Sequence, residues 1–114
     1  MQIKGENYNV WYDRNSGTVN FTGALRLAGM EEYGPILQLL NSLAAMEPSR
    51  INLNLKQLEF LNSSGITMLS KFVIEIRKKN NIKMAIQGSN EIPWQGKSLK
   101  NLQRLMPGLA LEFQ

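Results

Sequence analysis

The chain contains neither cysteine nor histidine among its 114 residues. Without cysteine it has no disulfide and no thiolate metal ligand. Without histidine it has no Ser-His-Asp relay and no imidazole ligand for a metal. The remaining residue types form no other catalytic constellation in the sequence. We therefore predict a protein that is not an enzyme and that uses no cofactor and no metal.

Long hydrophobic runs are also absent. No apolar run is long enough to span a bilayer, and the N-terminal residues MQIKGENYNV contain no hydrophobic signal region. We therefore expect a cytoplasmic protein with no membrane span. The length and the hydrophobic share of 43% predict one domain over residues 1–114.

The charge is positive but dispersed. Thirteen basic and nine acidic residues give a net charge of +4. The densest basic run, Arg77-Lys78-Lys79, falls at the end of a predicted helix, where cations offset the helix macrodipole. We therefore predict no nucleic-acid partner.

Hydrophobic spacing predicts alternating strands and helices after an initial hairpin. In chain order the predicted elements are a hairpin with strands around residues 8–12 and 19–21, a helix over 31–46, a strand over 51–55, a helix over 64–79, a strand over 82–86, a short helix over 99–105 and an edge strand over 109–113. The first helix begins at residue 31 or as late as 34, because Pro35 fits only near a helix start.

The strands alternate apolar and polar side chains, as Ile51, Leu53 and Leu55 do with their polar neighbours. Parallel strands covered on both sides are instead continuously apolar. The pattern therefore predicts an α/β fold in which helices pack mainly on one face of a mixed sheet, with right-handed crossovers.

The most informative stretch is INLNLKQLEFLNSSGITM, residues 51–68. Its alternation stops at Asn62-Ser63-Ser64-Gly65 and is followed by helical spacing, which predicts a strand, a sharp turn and a helix. A helix start has unpaired N–H groups and the positive end of the macrodipole. A serine there can cap the helix or can carry a phosphate. Residue types alone leave both interpretations open.

This order of motifs resembles the STAS domain, the module of anti-sigma-factor antagonists and of the cytoplasmic tails of sulfate transporters. The resemblance rests on the strand over 51–55, on Leu58-Glu59-Phe60-Leu61, on Asn62-Ser63-Ser64-Gly65-Ile66 and on Leu105-Met106-Pro107-Gly108-Leu109. The family form is an apolar strand, Asp-Ser-Ser-Gly and a helix. The resemblance implies a STAS-like mixed sheet over nearly the whole chain.

The resemblance also implies a function. In family members of the antagonist type, a partner serine kinase, itself an anti-sigma-factor-like protein, phosphorylates the first serine of the motif, and a phosphatase resets it. By motif position that serine is Ser63 here, which implies a partner-switching role in transcription regulation. Asn62 departs from the usual aspartate: it keeps the capping chemistry but lacks the charge beside the acceptor serine.

The helix after the motif predicts a partner-binding face. Thr67, Lys71 and Ile74 lie opposite the core stripe by helical geometry. Met68 lies at the margin and fits either this face or the core. The candidate docking residues are Asn62, Ser64, Gly65, Thr67, Met68, Lys71 and Ile74.

Several alternatives stay open in the sequence. Ser64 is a candidate helix cap, and Trp94 fits either a partner anchor or a side chain folded back over the sheet. Besides the phosphorylation switch, the chain fits a constitutive scaffold that is never phosphorylated. It also fits a small-ligand or nucleotide-binding domain that uses the anion-ready helix start. The sequence does not set the oligomeric state.

Overall fold

The computed structural model describes all 114 residues. Its elements are β1 (Gln2–Lys4), β2 (Tyr8–Asp13), β3 (Thr18–Leu25), α1 (Gly29–Ala45), β4 (Arg50–Leu61), α2 (Ser63–Lys79), β5 (Lys83–Gly88), α3 (Gln95–Leu105) and β6 (Ala110–Phe113). None of the three helices is both long and apolar enough to cross a membrane.

The six strands form one mixed sheet in the order β1-β2-β3-β4-β5-β6. The first two pairings are antiparallel, and the pairings of β3 with β4, β4 with β5 and β5 with β6 are parallel. Since each helix links neighbouring parallel strands in the same direction, right-handed crossovers put all three helices on one face. α2 accordingly packs between α1 and α3. The predicted α/β class and one-sided helix layer are confirmed.

The core lies between this helix layer and the sheet. Its largest fully buried side chains include Phe21 on β3, Tyr33 on α1 and Phe72 on α2. The opposite face of the sheet is polar, and Asn54 donates a 2.9 Å hydrogen bond to Asn20 across it. The alternation in the strands therefore separates a buried face from a solvated face, as predicted.

Several predicted boundaries were wrong, and one strand was not predicted. α1 begins at Gly29, before the predicted start, because the Glu32 carboxylate accepts a hydrogen bond from the Ala28 N–H and closes the first turn. Pro35 consequently lies inside the helix. β1 was not predicted, because it has only three residues and backbone pairing with β2 defines it.

β4 is longer than predicted, since it continues past Leu55 to Leu61. Its parallel pairing with β3 shifts register between Asn20 and Thr22 and again between Gly23 and Ala24. These irregularities displace the regular alternation, so the sequence pattern loses its strand period at residue 56. The extension delivers the Asn62-Ser63 junction to the edge of the core.

Candidate functional site

Asn62 ends β4 and caps α2. Its backbone is extended, and its Oδ1 accepts the N–H of Gly65 at 3.0 Å. The carbonyl oxygen of Asn62 also accepts the N–H of Ile66. The predicted cap at Ser64 was therefore wrong. Asn62 occupies the N-cap position, from which a short side chain reaches the N–H of the third helical residue.

The side chain of Asn62 also binds the loop after β3. Its Nδ2 donates to the Leu27 carbonyl at 2.8 Å, and its backbone N–H donates to the Leu25 carbonyl at 3.2 Å. An aspartate has no donor for the Leu27 carbonyl, so the amide has a structural role here. The ionised aspartate that is usual in the STAS motif could not make this contact.

Tyr33 of α1 completes the junction. Its side chain is fully buried, and its hydroxyl donates to Oδ1 of Asn62 at 2.6 Å. Burial raises the pKa of Tyr33, because the phenolate form would lose its hydration. The neutral hydroxyl is therefore the form that joins α1 to the start of α2.

Ser63 is exposed and Ser64 is partly exposed at the first two positions of α2. Helix geometry leaves their two N–H groups without intrahelical acceptors, whereas those of Gly65 and Ile66 are bound to Asn62. The first turn carries no acidic side chain. The surroundings of the Ser63 hydroxyl therefore suit an anion.

Gly65 and Met68 point away from solvent. A Cβ on Gly65 would meet the Leu61 side chain and would lie 2.8 Å from the Tyr33 hydroxyl oxygen. Met68 has no exposed surface and belongs to the core cluster. The prediction that these two residues belong to a docking surface was therefore wrong. Both are buried, because α2 approaches β4 and α1 closely here.

The other predicted docking residues lie on the outer side of α2. Thr67 and Lys71 are exposed one and two turns beyond Ser63, and Ile74 is partly exposed. Lys71 and Ile74 line a shallow groove of about 330 Å³ with Leu37 and Asn41 of α1. The fold therefore brings α1 residues, which the sequence pattern did not single out, beside the predicted face.

An exposed aromatic residue was missed as well. The Phe60 side chain is 38% exposed near the end of β4, three residues before Ser63. The guanidinium of Arg26 lies over its ring, 4.5 Å from the centroid. The signal in the sequence was Phe60 next to Glu59, where the alternation fails, but only the pairing of β3 with β4 brings Arg26 to it.

The loop between β5 and α3 covers the free edge of β4. Trp94 Nε1 donates to the Leu58 carbonyl at 3.1 Å, which favours the folded-back alternative over a partner anchor. Gln95 is fully buried, and its Nε2 donates to the Leu55 and Leu58 carbonyls at 2.6 and 3.1 Å. Its Oε1 accepts the Ser89 N–H at 2.7 Å.

These contacts satisfy the part of β4 that β5 does not reach, since their pairing ends at Asn54. A buried glutamine with three backbone partners was not predicted, because its partners lie far away in the sequence. No three acidic, histidine or cysteine side chains come together in a way that could hold a metal ion.

The fold is a STAS-like α/β fold, as the sequence resemblance implied. It is similar to that of SiaC from Pseudomonas aeruginosa. The SiaC structure in complex with the diguanylate cyclase SiaD, which it activates, has a TM-score of 0.74 and 13% identity, covering 100% of this chain and 99% of the other. A second structure of SiaC has a TM-score of 0.73 and 13% identity, covering 100% of this chain and 96% of the other. The structure of apo-SiaC has a TM-score of 0.75 and 12% identity, covering 100% of this chain and 97% of the other.

The sequence comparisons are negative. No protein-family model matches the chain, and no curated protein matches it significantly. The similarity to SiaC, at 12–13% identity, is therefore a similarity of fold.

Proposed function

We propose that this chain is a non-enzymatic regulatory module that binds a partner protein and is switched by phosphorylation of Ser63. The observation that carries the proposal is that two neighbouring residues at the start of α2 have different environments. Asn62 makes the hydrogen bonds that hold the junction, whereas the neighbouring Ser63 side chain is exposed. A phosphate on Ser63 would break none of those hydrogen bonds.

The helix start tolerates the added charge. A phosphoserine carries about −1.5 to −2 charges and three acceptor oxygens. The N–H groups of Ser63 and Ser64 and the positive end of the α2 dipole would stabilise it. The folded domain is therefore expected to survive phosphorylation.

Phosphorylation of Ser63 would weaken partner binding, although the domain itself stays folded. Ser63, Thr67 and Lys71 follow one another at one-turn spacing on α2, and Ile74 continues toward the groove beside α1. A partner docked on this face would contact a neutral hydroxyl at Ser63. A phosphate would instead bury an unpaired charge, which weakens the complex.

The partners belong to the same proposal. The STAS resemblance implies a serine kinase that is also an anti-sigma-factor-like protein, together with a phosphatase that resets Ser63. The similarity of fold to SiaC, the activator of the diguanylate cyclase SiaD, supports a protein partner that the domain regulates. We therefore propose a signalling protein as the regulated partner, without requiring a sigma factor. A cytoplasmic location follows, since the kinase needs ATP.

The experiment starts with mass spectrometry of the protein recovered from its native cells, which tests for phosphate on Ser63 and identifies the co-purified partner. Binding of that partner to Ser63→Ala, Ser63→Asp and Asn15→Asp variants is then measured by calorimetry. Asn15→Asp is the matched control, because it adds one negative charge at an exposed position between β2 and β3, away from α2. We expect Ser63→Asp alone to weaken binding, by about tenfold or more.

Equal binding by all three variants, with no phosphate on Ser63, would identify the constitutive scaffold instead. Phosphate on Ser63 together with unchanged partner binding would show that Ser63 is modified, but it would contradict the proposal that the modification controls binding.

A further inference from the structure

A cationic cleft lies at the end of the sheet opposite Ser63. It forms where β4 and β5 begin and where α2 and α3 end, and its volume is about 900 Å³. This size is within the range of small-molecule sites. The lining residues are Ser49, Arg50, Ile76, Arg77, Asn80, Asn81, Ile82, Lys83, Met106, Pro107 and Gly108.

The lining is positively charged. It contains the three cations Arg50, Arg77 and Lys83 and no carboxylate. The ends of α2 and α3 contribute partial negative charges of about half a unit each, which offset only part of the three positive charges. The nearby Glu75 lies outside the lining and is 3.7 Å from Lys78. The cleft therefore favours an anion.

Two of the cations are held in position. Arg77 donates through Nη1 to the Leu105 carbonyl at 2.9 Å, which ties α2 to the end of α3. Arg50 donates through Nε to Oδ1 of Asn52 at 2.8 Å, which leaves both terminal nitrogens of its guanidinium for a ligand. The Lys83 N–H donates to the Ser49 carbonyl at 2.9 Å and holds the two strand starts together.

We infer that this cleft binds a small phosphate-bearing molecule of the nucleotide class. The fork of a fixed guanidinium matches two phosphate oxygens, and the Lys83 ammonium adds a point charge beside it. The apolar side chains of Met106 and Pro107, which are accessible at the cleft, provide a wall for the base. A single cleft without an aromatic side chain for stacking disfavours single-stranded nucleic acid.

The test is calorimetric titration of the full chain with GTP, ATP and pyrophosphate, at low and at physiological ionic strength. We expect saturable binding of one nucleotide per chain. Arg50→Gln and Lys83→Ala should each weaken it by about tenfold or more, since each removes a charged hydrogen bond. Lys97→Ala is the matched control, because Lys97 is an exposed cation of α3 outside the cleft. Urea unfolding of each variant establishes that it is folded.

Tighter binding of a nucleotide than of pyrophosphate supports the inference. Equal binding of pyrophosphate would overturn the nucleotide assignment and leave a phosphate site. No saturable binding by the wild type, or equal weakening by Lys97→Ala, would overturn the site itself. The titrations are repeated with Ser63→Ala, so their outcome does not depend on the proposed switch.

Discussion

The hydroxyl of Tyr33 lies 2.6 Å from Oδ1 of Asn62, and this hydrogen bond joins α1 to the junction before Ser63. The same oxygen accepts the Gly65 N–H, and the Asn62 amide nitrogen donates to the Leu27 carbonyl. Each polar atom of the Asn62 side chain therefore has a partner inside the domain. The rigidity of this junction depends on Asn62, whereas Ser63 is free to change its charge.

Tyr33→Phe should lower the free energy of unfolding by about 1 kcal/mol near neutral pH, because it removes a buried hydrogen bond. Burial raises the pKa of Tyr33, so the folded state holds the phenolic proton more tightly than the unfolded state. The contribution is therefore complete below the pKa of an unfolded tyrosine, about 10, and is lost as the pH rises through the higher folded pKa.

Urea unfolding of wild type and Tyr33→Phe at a series of pH values checks this dependence. The two stabilities should converge as the pH rises above about 10. Tyr12→Phe on β2 is the control for the loss of one phenol. A difference between wild type and Tyr33→Phe that stayed constant over this range would contradict the prediction.

Asn62→Asp introduces the residue common in the STAS motif. The carboxylate keeps the cap, but it cannot donate to the Leu27 carbonyl. We expect a loss of about 1 kcal/mol at neutral pH, and a smaller loss at acidic pH, where the protonated carboxyl can donate. Asn62→Ala should lose more, about 2 kcal/mol, because it also removes the cap. Chemical denaturation of both variants tests the order; an Asp variant as stable as wild type would refute it.

Ser63→Asp should leave the stability unchanged or raise it by up to about 1 kcal/mol, because a negative charge at a helix start is favourable. Ser63→Lys should have the opposite effect and lower the stability, because a positive charge at a helix start is unfavourable. Thermal unfolding of the three proteins at low ionic strength measures the difference. If Ser63→Asp were clearly less stable than Ser63→Lys, the argument that the domain tolerates phosphate would fail.

Gln95→Leu conserves much of the side-chain volume but removes the side-chain partner of the Leu55 carbonyl and of the Ser89 N–H, whereas the Leu58 carbonyl keeps its hydrogen bond from Trp94. We expect a loss of about 2 kcal/mol or more, because unpaired buried polar groups are costly. Hydrogen exchange should also increase around Ser89. Gln38→Leu, at an exposed position of α1, is the control and should change stability little.

The buried stripes of the helices and the one-sided strands could be predicted from the sequence, since hydrophobic period is a local property. The strand–turn–helix order around Asn62 followed from the same kind of pattern. Predictions failed where a distant group decides a local structure. The hydrogen bond from the Ala28 N–H to Glu32 makes α1 begin earlier in the chain than predicted. Gln95 donates a hydrogen bond to the part of β4 where the alternation is broken.

The sequence by itself determined the α/β class, the position of the serines at a helix start and the lack of histidine and cysteine chemistry. The tertiary structure decided that Asn62 is the cap, that Met68 belongs to the core and that Arg50, Arg77 and Lys83 share one cleft. The physical reason is the separation in sequence over which each interaction acts. Periodicity and capping act over a few residues, whereas the Tyr33–Asn62 bond joins positions 29 residues apart and exists only once the chain has folded.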